Sequence, residues 1–142
     1  MAATPGRNRR STRTGRRPAT GCHSLPTQAE IAIIGTQIEA TNRIKNIVGL
    51  LNRWATNNSP LILRTNYGAL AWEYTTPGAL SNAGTNAGHS SAQQASVPDT
   101  IKQSRFNLYV VFHDGSLAVP NGDYARWLLD LAKSKVNYQI TH

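Results

Sequence analysis

From Ile31 onward, apolar side chains return every three or four positions: Ile31, Ile34, Ile38, Ile44, Val48 and Leu51, with Thr41 in step between them. That period places them on one face of a helix, widened by Ile33, Ile47, Leu50 and Trp54. Glu39, Asn42, Arg43, Asn46 and Arg53 fall on the other side. Thr27 followed three positions later by Glu30 has the form of a capping box, and Asn57, Asn58 and Pro60 supply a stop. The pattern predicts a helix over 28–57, which Gly35 and Gly49 weaken by about 1 kcal/mol each.

Beyond Pro60 the period changes. Residues 61–74 read as strand, with Asn66 to Gly68 as a tight turn or a bulge. Phe106, Leu108, Val110 and Phe112 alternate with Arg105, Asn107, Tyr109 and Val111, which is the period of a strand with one apolar face. Asp114-Gly115 between apolar runs signals a hairpin, and Leu117, Ala118 and Val119 make its return strand. Pro120 to Asp123 open a second helix lined by Tyr124, Trp127, Leu128 and Leu131; Asp123 near its start and Lys133 and Lys135 near its end suit the helix dipole. Val136, Tyr138 and Ile140 form a last edge strand. Residues 75–98 contain no Lys, Arg, Asp or Glu and almost no large apolar side chain, so little offsets their ordering entropy. They predict a long flexible loop over about 75–103. The sum is an α+β fold, an antiparallel sheet with two helices packed on one face, preceded by a disordered basic arm. A jelly-roll-type β fold ranks second, because it needs about eight strands and the chain offers fewer.

Charge divides the chain more sharply than hydropathy does. Residues 1–29 hold Arg7, Arg9, Arg10, Arg13, Arg16 and Arg17 and no acid, giving +6; the remaining nine Lys and Arg against seven Asp and Glu give +2. A block of like charge repels itself and resists folding, which predicts a disordered arm over 1–25 and a single folded domain over 26–142. The one cysteine, Cys22, excludes an internal disulfide framework. No apolar run approaches the ~18 residues that span a bilayer, so no membrane partner is expected. A mitochondrial transit peptide shares the arm's composition, but Pro5, Gly6, Gly15, Pro18 and Gly21 interrupt the amphipathic helix it requires.

Catalytic chemistry finds no constellation. His23, His89, His113 and His142 are scattered, Cys22-His23 lacks metal-ligand spacing, and no phosphate-cradling glycine loop precedes a helix. Neither an enzyme, a metal nor a cofactor is expected. The arm is different. All six of its charges are guanidinium groups, which grip phosphate through two parallel hydrogen bonds, and small polar residues between them keep the segment pliable. It holds no aromatic side chain for base stacking. Neutralising about six phosphates predicts a slope of log K against log[salt] near −4 to −5, with affinities of roughly 10⁻⁴–10⁻⁶ M per arm and no sequence preference. Arg43, Lys45 and Arg53 on the first helix extend the candidate surface. The tryptophans and tyrosines are expected in the core or at subunit contacts.

An arginine-rich arm from Arg7 to Arg17 followed by a nearly charge-balanced domain resembles, in layout, the small viral coat and nucleocapsid proteins. The resemblance covers the arm and, loosely, the domain. It implies an arm that grips genomic RNA rather than DNA and a domain that self-associates into a homo-oligomer or particle. The corresponding location is the virion and the host cytoplasm, with the nucleus open through the basic arm. The alternative is a non-structural nucleic-acid-binding protein, such as a movement, silencing-suppressor or ribosome-associated factor.

Overall fold

The computed structural model describes residues 27–73 and 91–142, together with Ala2. Helix α1 runs Gln28–Asn57, α2 Leu61–Tyr67 with a 3-10 turn at Gly68–Leu70, α3 Ser91–Ala95, α4 Asp99–His113 and α5 Gly122–Thr141. No strand occurs among the described residues, so both the α+β and the jelly-roll expectations are overturned in favour of a helical fold.

Local chemistry sets the bounds of α1. The Thr27 hydroxyl accepts from the Glu30 amide at 3.2 Å, and the Glu30 carboxylate accepts from the Thr27 amide at 2.6 Å, so the capping box forms in both directions. At the other end the Asn58 and Ser59 amides both donate to the Trp54 carbonyl, and Pro60 begins α2. Ala40, Ile44, Ile47, Leu51, Trp54 and Ala55 are the side chains α1 buries. At 100° per residue, Ile31, Ile34 and Ile38 centre roughly 140° round from that stripe, so they lie across the helix from the core. The three are 58%, 50% and 56% exposed. A stripe stepped by threes and fours over twenty residues drifts around a 3.6-residue helix, which is why the predicted single face splits in two.

Helix α5 packs against both α1 and α4, and Leu128, Leu129, Ala132 and Val136 bury its inner face. In α4 the buried positions Ile101, Ser104, Arg105, Leu108 and Val111 step by helical spacings, with Ser104 Oγ bonding the Ala132 carbonyl of α5 at 3.0 Å. The predicted strand over 105–112 is therefore the body of this helix. Of residues 61–74, predicted as strand, 61–67 are α2, 68–70 the 3-10 turn and 71–73 a non-helical turn; Tyr74 lies outside the described residues. Val136, Tyr138 and Ile140, predicted as an edge strand, continue α5.

The Asp114-Gly115 signal is a real turn with a different role. Asp114 caps α4, Gly115 takes φ of 68°, and the chain leaves the helix through this left-handed position. Leu117 and Ala118, predicted as return strand, adopt φ of 50° and 77° in the connection to α5. Non-glycine residues pay for such backbone with about 1–3 kcal/mol each, and burial of Ala118 beside α1 and α5 holds them there. Of the loop expected over 75–103, residues 91–95 and 99–103 are helical; residues 74–90 lie outside the described residues.

Candidate nucleic-acid interface

The arm residues Arg7, Arg9, Arg10, Arg13, Arg16 and Arg17 lie outside the described residues, as do Cys22, His23 and His89. What the structure places is the folded surface behind them. Arg43, Lys45 and Arg53 all project from α1, yet helical geometry sorts them. Arg43 and Lys45 are two positions apart and so point to opposite sides, whereas Lys45 and Arg53 share the outward side of the helix about 12 Å apart along its axis.

Arg43 turns toward α5. Its Nε donates to Glu39 Oε1 at 3.0 Å and its Nη1 to Asp130 Oδ1, joining α1 to α5. From α5, Arg126 donates to Glu39 Oε2 at 3.1 Å and to Asp123 Oδ1 at 3.1 Å. The hydrogen bond from Arg126, reinforced by the charges of Arg126 and Arg43, holds the Glu39 carboxyl below its ordinary value; Glu39 in turn raises Arg126. Arg43 is thus a clamp between helices, with its charge matched twice. Lys45 and Arg53 are exposed and make no ion pair among the described residues. Of the three sequence candidates on α1 they are the two whose charge no carboxylate matches.

Beside the clamp lies an open groove of about 420 Å³ between α1 and α5, lined by Asn42, Arg43, Asn46 and Lys133 together with Glu39 and Asp130. Two cations face two carboxylates, so the groove offers hydrogen bonds without net attraction for a polyanion. Lys133 was legible in the sequence only as a helix-end cation; its approach to α1 depends on the α1–α5 packing.

A second arrangement has no counterpart in the sequence reading. Arg105 is 5% exposed, and its guanidinium carbon sits 4.2 Å over the Tyr109 ring. The Tyr109 hydroxyl donates to Glu73 Oε1 at 2.6 Å, and its ring lies 6.4 Å from that of Trp72. Trp72 Nε1 donates to Asn52 Oδ1 at 2.8 Å. Burial, and then the bond to Glu73, push the Tyr109 hydroxyl well above the ordinary tyrosine value. The cluster ties the end of the 3-10 turn to α4 and α1, and its arginine faces ring and protein rather than solvent. The signal was present as an Arg and a Tyr four apart, which meet only on a helix.

Trp54 and Trp72 are buried, as expected of core anchors, whereas Trp127 is 58% exposed and stacks on Tyr124 with ring centroids 5.9 Å apart. Among the described residues, no group of three His, Cys, Asp or Glu is placed to hold a metal ion, and no helix is long and apolar enough to cross a membrane. No protein-family model, no curated protein and no solved structure matches this chain.

Proposed function

We propose that the protein packages nucleic acid, RNA in preference to DNA, in the manner of a viral coat or nucleocapsid protein. The six arginines between Arg7 and Arg17 bind the phosphate backbone, and the helical domain self-associates. The observation that carries this reading is the segregation of charge: +6 in residues 1–29 against +2 in residues 30–142. The pairing within the domain sharpens the contrast. Arg43, Arg126 and Lys102 are matched by carboxylates, whereas Lys45 and Arg53, like Arg64, Lys133 and Lys135, make no ion pair among the described residues and serve as secondary contacts. A weak, sequence-blind arm gains affinity when many copies are held together, because each bound arm raises the effective concentration of the next. On this reading the protein resides in the virion and the host cytoplasm.

The test is expression of the chain with and without residues 1–24, mixed with RNA and viewed by negative-stain microscopy. The reading expects discrete particles or regular filaments from the full chain. It expects none from the truncated chain, whose far-ultraviolet circular dichroism stays helical. Monomers or dimers under every condition, with a fixed stoichiometry on a short oligonucleotide, would favour a non-structural role in movement, silencing suppression or ribosome association.

A further inference from the structure

We propose that the C-terminal halves of α1 and α5 form a track for single-stranded RNA. Arg53 and Lys133 hold its phosphates, and the amides of Asn42 and Asn46 meet ribose and base edges between them. The inference deepens the packaging reading and rests on it for the identity of the strand, while its geometry stands on the pairing of two helices.

The two helices run parallel. Arg43 meets Asp130 and Arg126 meets Glu39, each pair 87 positions apart in the chain, so α1 and α5 advance together at a constant offset. At the far end Asn58 Nδ2 donates to the Ile140 carbonyl at 3.4 Å, which keeps the helices adjacent to their last turns. On that offset Asn46 stands level with Lys133, and Arg53 with Ile140.

Charge is uneven along both helices. From Ala40 to Asn57 and from Leu131 to Thr141 neither contains an acid, yet these spans hold Arg43, Lys45, Arg53, Lys133 and Lys135. Parallel packing sets the two acid-free halves side by side. The helix dipole does not account for them, because its effect fades within the last turn and neither helix has a basic residue there. Of the five, Arg43 alone forms ion pairs among the described residues.

The groove of about 420 Å³ opens at this junction, with Asn42 and Asn46 on the α1 wall and Lys133 on the α5 wall. Its carboxylates, Glu39 and Asp130, are bonded to Arg43 and Arg126, and both precede the acid-free spans. At 100° per residue, Arg53 falls between Asn42 and Asn46 round the helix, so it continues their wall about 10 Å beyond Asn46. Gly49 lies close to the same arc, and nothing stands within 4 Å of the place its Cβ would take. Glycine weakens a helix interior; here it leaves the wall bare between Asn46 and Arg53. The side-chain amides of Asn42 and Asn46 make no hydrogen bond among the described residues.

This chemistry suits a single strand. Cations hold phosphate oxygens, and amides both donate and accept at ribose hydroxyls and base edges. Helix axes pack roughly 8–10 Å apart, so a duplex is too broad to enter the cleft, and a flat membrane surface would not follow it. From Asn42 to Arg53 the track is about 16 Å long.

The test titrates full-length protein into a labelled single-stranded RNA at 0.15 M salt and reads anisotropy. Arg53→Gln with Lys133→Gln releases about two phosphates and should weaken binding roughly tenfold. Lys102→Gln, on α4 and already matched by Asp99, should leave it unchanged. Gly49→Leu should raise the urea midpoint and yet weaken binding severalfold. Gly35→Leu, the same change two turns before Asn42, should raise the midpoint and leave binding alone. RNA carrying 4-thiouridine should crosslink on irradiation to peptides spanning 42–53 and 133–137.

Binding unaffected by both the double variant and Gly49→Leu, with crosslinks confined to residues 1–25, overturns the track and leaves the arm's role intact. Binding that survives replacement of the six arm arginines but falls in the track variants upholds the track and sinks the packaging reading. A wild type that binds no RNA overturns both. So, for the track, does a double variant that loses binding to phosphatidylserine vesicles while keeping its affinity for RNA, which would assign these cations to a lipid surface.

Discussion

Ile34 and Ile47 belong to the same helix and differ in what surrounds them, so truncating each to alanine isolates burial from chemistry. Ile47 is 1% exposed and packs between α1 and α5, whereas Ile34 faces away from the bundle. Ile47→Ala removes the same atoms from a packed core and leaves a cavity, which costs about 2–5 kcal/mol. The site adjoins the open groove beside Arg43, so water and neighbouring side chains can relax into part of the space and the cost should fall near ~3 kcal/mol. Ile34→Ala loses little burial and gains helix propensity, so its effect should lie within about 0.5 kcal/mol of zero.

Urea unfolding followed by circular dichroism, at low micromolar concentration where weak self-association is absent, reads the difference. With a slope of ~1–3 kcal/mol/M, the midpoint should drop by roughly 1–3 M for Ile47→Ala and hardly move for Ile34→Ala. A domain of only ~5 kcal/mol total stability would barely tolerate the larger change, so Ile47→Val, at about 0.5–1.5 kcal/mol, serves as the graded check. Equal costs at the two positions would refute the helical register described here and restore a single continuous apolar face from Ile31 to Leu51.

Three further outcomes follow from the same geometry. The depressed Glu39 carboxyl contributes stability that is fully present above its ordinary value of 4.5 and is lost as pH falls below it. Glu39→Gln should therefore lower the melting temperature at pH 7, and the gap from the wild type should close progressively below pH 4.5. Tyr109→Phe leaves the half-buried Glu73 without its hydroxyl donor and should cost about 1–3 kcal/mol by urea unfolding; absorbance at 295 nm should show the wild-type Tyr109 ionising only above the ordinary tyrosine range. Iodide should quench the fluorescence of Trp127 and spare Trp54 and Trp72, so Trp127→Phe should abolish most of the quenchable emission.

The ends of α1 were legible because each rests on local chemistry: Thr27 and Glu30 need only one another, and Pro60, which has no amide hydrogen to donate, cannot extend α1 and instead stands at the start of α2. The strands predicted over 61–74 and 105–112 failed for a shared reason. In α4 the side chains that face the core include Ser104, Arg105 and Asn107, so the helical stripe is partly polar, while the alternating Phe106, Leu108, Val110 and Phe112 imitate a strand. Ser104 is buried because Ala132 offers it a carbonyl, and Arg105 because Tyr109 offers it a ring; both partners are set by tertiary packing and by the helix itself. Asp114-Gly115 shows a different ambiguity, since a left-handed glycine closes a helix as readily as it turns a hairpin. Among the candidate site residues, the arm declared itself through charge alone. The division of Arg43 from Lys45 and Arg53 needed the position of α5, which no local pattern encodes.

The central claim is electrostatic, and anisotropy of a labelled single-stranded RNA titrated with protein across a range of salt tests it most directly. Six arginines predict that log K falls with log[salt] at a slope near −4 to −5, and that replacing Arg7, Arg9, Arg10, Arg13, Arg16 and Arg17 by alanine flattens the slope and removes most of the affinity. Binding that ignores salt, or that survives those replacements undiminished, would contradict it.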